Sequence, residues 1–312
     1  MDISKGCSSK LITIMNITNV IDTHVHLTTE KLENVLINNP PDSWKEGVAK
    51  RQVYAYNYFK EKVSNSSCQL AGCIYVQCFN APPLEECCWA IEFAKADDNI
   101  IKGVIAEIPV PDGSEAVRTY LNQVRERFNG NLPSELKGGR VVLLGEDKEA
   151  SLTDMYINGL KTLSEANLLW EFCSHPKHIP SILETCKKCP TKMTFVFDHL
   201  LHNAEETGGN DFETWSVNIA KLASEVPNSY CKLGAVEEWG CDDPFKYLEF
   251  TIDIFGYDRV LYESNWFVSE IFNCEYDDTA KLLVKVLKTK NASEEEIQKV
   301  FQMNAKKVYN LQ

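Results

Sequence analysis

The chain has no long apolar run, no basic run and no glycine-rich phosphate loop. Its uncharged apolar stretches are far shorter than the roughly 20 residues that cross a bilayer, which excludes a membrane-spanning helix. A formal net charge of −13 at pH 7 leaves no basic surface that could release counterions from nucleic acid. No Gly-x-Gly-x-x-Gly or Walker pattern follows an apolar run, so a nucleotide cofactor is not indicated. These absences favour a small-molecule substrate.

The first residues also lack the pattern of a secretory signal, because residues 1–10 are polar. Twelve cysteines are scattered along the chain, and the single Cys-x-x-Cys, from Cys186 to Cys189, has no second pair at zinc-finger spacing. We interpret these thiols as buried and reduced. The sequence therefore predicts a cytoplasmic protein with no nucleic-acid or membrane partner, and it leaves the oligomeric state open.

Histidine is scarce, and its placement is the most informative feature of the sequence. The six histidines form three close pairs at the ends of apolar runs: His24 with His26, His175 with His178, and His199 with His202. Alternation along a strand puts the rings of His24 and His26 on one face. Imidazole is the commonest transition-metal ligand, so these pairs predict a metal or substrate site where their strands converge. The alternative is a set of ordinary histidines near strand ends.

Eight short apolar runs predict eight buried parallel strands. They cover residues 20–27, 70–78, 101–110, 139–144, 168–174, 194–199, 229–236 and 259–264. Helical periodicity fills most of the intervening segments, including 84–96, 116–128, 151–166, 179–188, 212–226 and 244–255. Strand and helix alternating around eight strands is the arrangement of a (β/α)8 TIM barrel, which we predict as a single α/β domain over residues 1–312 with a core from about 20 to 311. A doubly wound open sheet is the alternative.

Several stretches of the sequence resemble a known family in the same order. They are Ile21-Asp22-Thr23-His24-Val25-His26, Tyr75-Val76-Gln77, Leu136-Lys137-Gly138-Gly139-Arg140, Val196-Phe197-Asp198-His199-Leu200, Tyr230-Cys231-Lys232-Leu233-Gly234, the run 255–266 that ends in Glu263-Ser264-Asn265-Trp266, and Asn304-Ala305-Lys306-Lys307-Val308-Tyr309. The chain resembles the amidohydrolase superfamily, and within it the amidohydrolase-related (amidohydrolase 2) group of sugar-acid lactonases and pyrone-dicarboxylate lactonase. The resemblance implies a TIM barrel of the metal-dependent hydrolase type.

The same resemblance implies roles for individual residues. His24, His26 and His199 would bind one divalent metal, zinc or manganese, or would polarise the substrate carbonyl in a metal-free site. Arg140 would hold a substrate carboxylate, unless it closes a salt bridge at the strand edge. Further substrate contacts are expected from Gln77, His175 and Trp266, with His175 open between a metal ligand and another role.

The sequence departs from the family at the end of the eighth strand, where Asn265 stands in place of the usual aspartate. An amide cannot act as a general base, because its nitrogen has no available lone pair. Glu263, two residues earlier, could be the relocated carboxylate, or a core group paired with Lys232. A second departure is the Leu200-Leu201-His202-Asn203 segment after His199, so the substrates of the better-known relatives cannot be transferred.

Three functions follow from these features. The first is a hydrolase that opens a lactone or a similar cyclic ester, and less readily an amide, of a small carboxylate-bearing molecule, with His199, Glu263 and Asn265 as catalytic residues. The second is a metal-dependent, non-oxidative decarboxylase. The third is a catalytically silent barrel that binds a metabolite, for which the change to Asn265 would be the signature.

Overall fold

The computed structural model describes residues 17–40, 42–50, 55–96, 100–145, 147, 149–202, 212–235 and 243–312. Eight parallel strands form one sheet in which spatial order follows chain order. They are β1 Ile17–Val25, β2 Cys68–Val76, β3 Ile101–Glu107, β4 Leu136–Val142, β5 Leu169–Cys173, β6 Phe195–Phe197, β7 Ser229–Leu233 and β8 Val260–Tyr262. Each predicted strand is confirmed, although Val236 of the seventh prediction lies outside the described residues.

The sheet closes between its first and last strands. Val25 forms a parallel bridge with Trp266, and the His26 amide donates to the Trp266 carbonyl at 2.6 Å. The Thr23 hydroxyl donates to the Tyr262 carbonyl at 2.7 Å. The strands therefore form the predicted (β/α)8 barrel, and the open-sheet alternative is excluded.

Helices surround the strands and cover their outer face. They are α1 Val35–Asn38, α2 Lys45–Lys50, α3 Tyr56–Ser64, α4 Pro83–Lys95, α5 Ser114–Arg127, α6 Asp154–Glu165, α7 Ile179–Lys187, α8 Phe212–Glu225, α9 Pro244–Phe255, α10 Val268–Ile271, α11 Asp278–Thr289, α12 Glu294–Gln298 and α13 Asn304–Val308. A π-helical turn, Lys299–Met303, joins the last two. Among the described residues, no helix is long and apolar enough to cross a membrane.

The barrel interior changes character along the strand direction. Its lower layer is apolar and includes Leu169, Val196, Tyr230 and Leu261, with Tyr309 of the C-terminal segment packed beneath them. Two residues further along each strand, alternation brings the next side chain inward. Those side chains are Glu171, Asp198, Lys232 and Glu263, each fully buried. The sequence thus builds a charged layer above an apolar floor, at the carboxyl ends of the strands.

Candidate active site

The charged layer continues into the histidines at the end of β1. The Nε2 atoms of His24 and His26 lie 3.1 Å apart. His26 Nδ1 is 2.9 Å from the Val76 carbonyl, which only accepts, so this nitrogen carries the proton and Nε2 has a lone pair. Burial lowers the pKa of His26 well below its usual range, with help from His24 and Arg140. The ring is therefore neutral, as a metal ligand or a base must be.

His199 and Glu263 form a short ion pair beside His24. His199 Nδ1 is 2.9 Å from Glu263 Oε1, and the other carboxylate oxygen is 3.1 Å from His24 Nδ1. Burial opposes the charge on His199, but Glu263 and a hydrogen bond with the Cys173 thiol raise the pKa of His199 well above 6.5. Burial likewise opposes ionisation of Glu263, yet His199 lowers its pKa to about 2. The pair is therefore an imidazolium and a carboxylate at neutral pH.

Two further cations hold Asp198 at the centre of the site. Lys232 Nζ lies 2.9 Å from Asp198 Oδ1 and 2.6 Å from Glu171 Oε2. Arg140 Nη1 donates to Asp198 Oδ2 at 3.0 Å and lies 3.2 Å from His24 Nε2. Burial opposes the charge of Asp198, but Lys232, His24 and Arg140 keep its pKa well below 3.8. Glu263 meets the histidines directly, and Lys232 pairs with Glu171 and Asp198 instead, which corrects the alternative that Lys232 is the partner of Glu263.

A left-handed turn brings Asp198 and His199 to the same place. Alternation on a straight strand would put neighbouring side chains on opposite faces. The backbone turns instead, with φ of 55°, 56° and 49° at His199, Leu200 and Leu201. Both side chains are buried, and the His199 ring centroid lies 4.5 Å from that of His24. The predicted convergence of the first and sixth strands is confirmed.

The donor set fits one metal ion. Ligand atoms of His24, Asp198 and His199 all lie within 4.8 Å of one another, and they are the one such group among the residues that the structure describes. As an imidazolium His199 has no lone pair, so its predicted role as a ligand would require the loss of a proton. Two nitrogens bound to a tetrahedral zinc ion at about 2.0 Å are separated by about 3.3 Å, which the 3.1 Å between His24 and His26 approaches. Arg140 and Lys232 already flank Asp198. Their positive charges would repel a second cation, so the site fits one metal ion at most.

The other predicted substrate residues have different surroundings. Gln77 is buried after β2, with Oε1 accepting from the Phe79 amide at 3.1 Å. His175 is buried after β5, with its ring 6.1 Å from that of His178, and does not belong to the group of possible ligands. The Trp266 ring packs against Phe59 in the hydrophobic core and donates to Glu270 at 3.2 Å. The Trp266 carbonyl accepts from the His26 amide, and the substrate contact expected of its indole stays a prediction.

Asn265 is buried in the segment that follows Tyr262, the last residue of β8, and it adopts φ of 54°. This conformation interrupts the alternation that would have placed its side chain directly above Glu263.

His202, the partner of His199 in the third histidine pair, packs against Trp215 and Tyr247 rather than joining the ion cluster. The third pair therefore contributes a single residue to the site.

The sequence interpretation missed Asp198 and Glu171 as site residues. Both stand two positions beyond an interior apolar residue, Val196 and Leu169 respectively. This signal is present in the sequence, but it could be used only with the inward face of each strand known. Glu171 is also bound from below, since Tyr309 donates its hydroxyl to Glu171 Oε1 at 2.7 Å.

Comparisons with known proteins agree with this architecture. An amidohydrolase of Burkholderia multivorans with bound zinc has a TM-score of 0.76 at 20% identity, covering 95% of this chain and 100% of that one. A probable 2-pyrone-4,6-dicarboxylic acid hydrolase of Acinetobacter baumannii with bound citric acid has a TM-score of 0.69 at 16% identity, with 94% and 100% covered. The protein y4mH of Sinorhizobium fredii is 26% identical over 135 residues, which are 42% of this chain and 44% of that relative's length. The amidohydrolase family model matches residues 21–311, nearly the whole chain, and the protein therefore belongs to the amidohydrolase family.

Proposed function

We propose that the protein is a hydrolase that opens a lactone or a similar cyclic ester of a small carboxylate-bearing molecule. The observation that carries this proposal is a pair of buried donors beside the ion cluster. Arg140 Nε and Gln77 Nε2 find no acceptor among the described residues. A buried donor without a partner is costly, so these two N–H groups fit the carboxylate of a substrate.

Arg140 is held in place for this role by its other nitrogens. Nη1 donates to Asp198, and Nη2 donates to the Gln77 carbonyl at 3.0 Å. The guanidinium plane is therefore fixed before a ligand arrives, and its Nε edge needs no reorganisation to bind an anion. The salt bridge raised as an alternative for Arg140 is present, and the remaining Nε–H supports the proposed contact with a substrate carboxylate.

The reaction adds water to the ring carbonyl and breaks the bond between that carbon and the ring oxygen. The products are a carboxylic acid, which releases its proton at neutral pH, and a hydroxyl. His199 is charged, so it can donate a proton to the departing ring oxygen. Asn265 can orient the water but cannot take its proton.

The site supports two ways of activating the water or the carbonyl. His24 and His26 would hold a bound zinc or manganese ion, which polarises the carbonyl or the water as a Lewis acid. Without an ion, the Nε2 lone pair of the neutral His26 ring accepts the proton of the water. The proposal includes both the metal-bound and the metal-free site, because the neutral imidazole of His26 can serve as a ligand or as a base.

A screen of lactones tests the proposal. Metal analysis of the purified protein comes first, and a pH-indicator assay with sugar-acid and aromatic-acid lactones follows. Proton release by the wild type and its loss in Arg140→Lys support the hydrolase, because lysine lacks the planar fork that presents Nε. Release of carbon dioxide from an aromatic acid supports a decarboxylase instead. Thermal stabilisation by small acids without turnover identifies a silent binding barrel.

The remaining expectations stay predictions. We propose that residues 1–312 act as a single domain and that the substrate is a small molecule rather than a nucleic acid or a membrane lipid. The cytoplasmic location rests on the sequence pattern alone.

A further inference from the structure

Helix α4 contributes a buried carboxylate that the proposed reaction does not use. Glu86 is 1% exposed. Its Oε1 atom accepts from the Tyr75 hydroxyl at 2.5 Å, the Cys78 amide at 2.7 Å and Asn80 Nδ2 at 3.0 Å. These donors are all neutral. A buried carboxylate with neutral partners is destabilising unless the hydrogen bonds satisfy it, so its position calls for a functional explanation.

One of those donors belongs to a peptide group that also binds the active site. The Cys78 amide and the Gln77 carbonyl are the two ends of a single peptide unit. The Gln77 carbonyl accepts from Arg140 Nη2 at 3.0 Å. The peptide therefore lies between the Glu86 carboxylate and the Arg140 guanidinium, with its N–H toward the anion and its C=O toward the cation.

The preceding carbonyl extends this connection to the histidines. Val76 accepts from His26 Nδ1 at 2.9 Å, which fixes the proton on that nitrogen. The chain then turns at Phe79, which has φ of 58°. Asn80 Nδ2 holds this turn in place by donating to the Leu27 carbonyl at 3.1 Å. Glu86 thus binds the segment that supplies consecutive carbonyls to His26 and Arg140.

We propose that Glu86 is a positioning residue that orients the Arg140 guanidinium through the peptide between Gln77 and Cys78. Above pH 7, where Glu86 is ionised, the anion at the N–H end of this peptide polarises it and strengthens the hydrogen bond accepted by its carbonyl. That hydrogen bond is already assisted by the charge of Arg140. This inference rests on the proposed function, since it assigns Glu86 to the grip on the substrate's carboxylate.

The first test does not need activity. In 1H–15N NMR spectra, the Nε–H signal of Arg140 is assigned by its loss in Arg140→Lys. The spectra are recorded above pH 7, where Glu86 is charged. Glu86→Gln keeps an oxygen for the Cys78 amide but removes this charge, so the signal should shift and its exchange with solvent should rise about tenfold. Glu85→Gln is the matched control, because Glu85 is the preceding residue on the same helix and pairs with Arg127 at the surface. An unchanged Arg140 signal in folded Glu86→Gln overturns the proposal.

A milder variant covers the case in which Glu86→Gln does not fold. Tyr75→Phe removes the 2.5 Å hydrogen bond to Glu86 and leaves the carboxylate in place. The pKa of Glu86 then rises, because this hydrogen bond lowers it, so less of the carboxylate is charged. We expect a smaller shift of the Arg140 signal in the same direction. No shift in this variant also contradicts the proposal.

The second test uses two lactones that differ only in a carboxylate group. Glu86→Gln should lower kcat/KM for the carboxylate-bearing lactone about tenfold, mostly through KM, and leave the neutral lactone unchanged. Combining it with Arg140→Lys should add little further loss, because both changes act on one contact. Equal losses on the two lactones would indicate a general structural effect and overturn the inference. If the wild type opens no lactone, the proposed function fails and the NMR result alone decides the role of Glu86.

Discussion

At the residue scale, Glu263 acts through its ion pair with His199. Glu263 has a pKa of about 2, because His199 stabilises its charge despite burial. Such a weak base does not take a proton from water at neutral pH, so its contribution is the charge that it maintains on His199. The structure thus gives Glu263 a partner, and its task in the proposed reaction is to maintain the charge of His199.

We expect Glu263→Gln to lower kcat for lactone opening by about a hundredfold, the usual contribution of a general acid. The loss of the carboxylate lowers the pKa of His199, so the alkaline limb of the pH–rate profile should move to lower pH. Asn265→Asp should give no increase in rate. A rate gain in Asn265→Asp would show that a carboxylate at residue 265 can activate the water. An unchanged rate in Glu263→Gln would contradict the role given to Glu263.

The histidines at the end of β1 predict the metal content. His24→Ala combined with His26→Ala should abolish stoichiometric zinc or manganese binding, since these nitrogens have the separation of two ligands on one ion. The control is His202→Ala, whose ring packs against Trp215 and Tyr247. Metal analysis after dialysis measures the difference. An unchanged metal content in the double variant would place the ion elsewhere, and a metal-free wild type would favour the neutral imidazole as base.

At the element scale, strand and helix positions could be predicted from periodicity, whereas the exits of the strands could not. The apolar runs and the helical spacing determine the elements by burial alone. Shortly after the ends of four barrel strands, a residue other than glycine has a positive φ. These residues are Phe79, His199, Ala235 and Asn265. Such conformations are imposed by tertiary contacts rather than by local preference, so no sequence pattern indicated them. This explains why Glu263 was found from its spacing and Asp198 was missed.

Helix α12 begins with a capping box formed by Ser293 and Glu296. The Ser293 hydroxyl accepts from the Glu296 amide, and the Glu296 side chain accepts from the Ser293 amide at 2.7 Å. Ser293→Ala should lower the free energy of unfolding by about 1 kcal/mol, as measured by urea denaturation. Ser224→Ala is the control, because Ser224 lies on an exposed helix face and bonds only its own helix. Equal effects of the two substitutions would contradict a specific cap.

At the scale of the whole molecule, the buried ionisable groups of the site are paired, and burial raises the pKa of one of them, Glu171, to about 8. The three carboxylates are Glu171, Asp198 and Glu263, and the three cationic groups are Arg140, Lys232 and His199. Each carboxylate has a cation within hydrogen-bond distance, which offsets part of its desolvation. The pairing could not be predicted from the sequence, because it depends on which face of each strand points inward.

Glu86 gives the protein a distinct pH dependence of stability. Burial raises the pKa of Glu86 from 4.5 to about 7. Below pH 4.5 both the folded and the unfolded chain hold the proton, and between pH 4.5 and 7 only the folded chain keeps it. Stability is therefore lost as pH rises through this window, by up to about 3 kcal/mol from this residue. Urea denaturation at several pH values should show a shallower decline in Glu86→Gln than in the wild type, and parallel curves would contradict the raised pKa.

The left-handed run at His199, Leu200 and Leu201 limits how this site could be transplanted. Adjacent residues on a straight barrel strand face opposite sides, so grafting only an aspartate and a histidine onto another scaffold would send one of them outward. Each left-handed residue other than glycine costs about 1 kcal/mol, which the recipient would also have to bear. A working copy would have to carry the entire turn, including Trp215, whose indole donates to the Leu200 carbonyl at 3.1 Å. The smallest portable unit of this site is a folded corner of the barrel rather than a set of side chains.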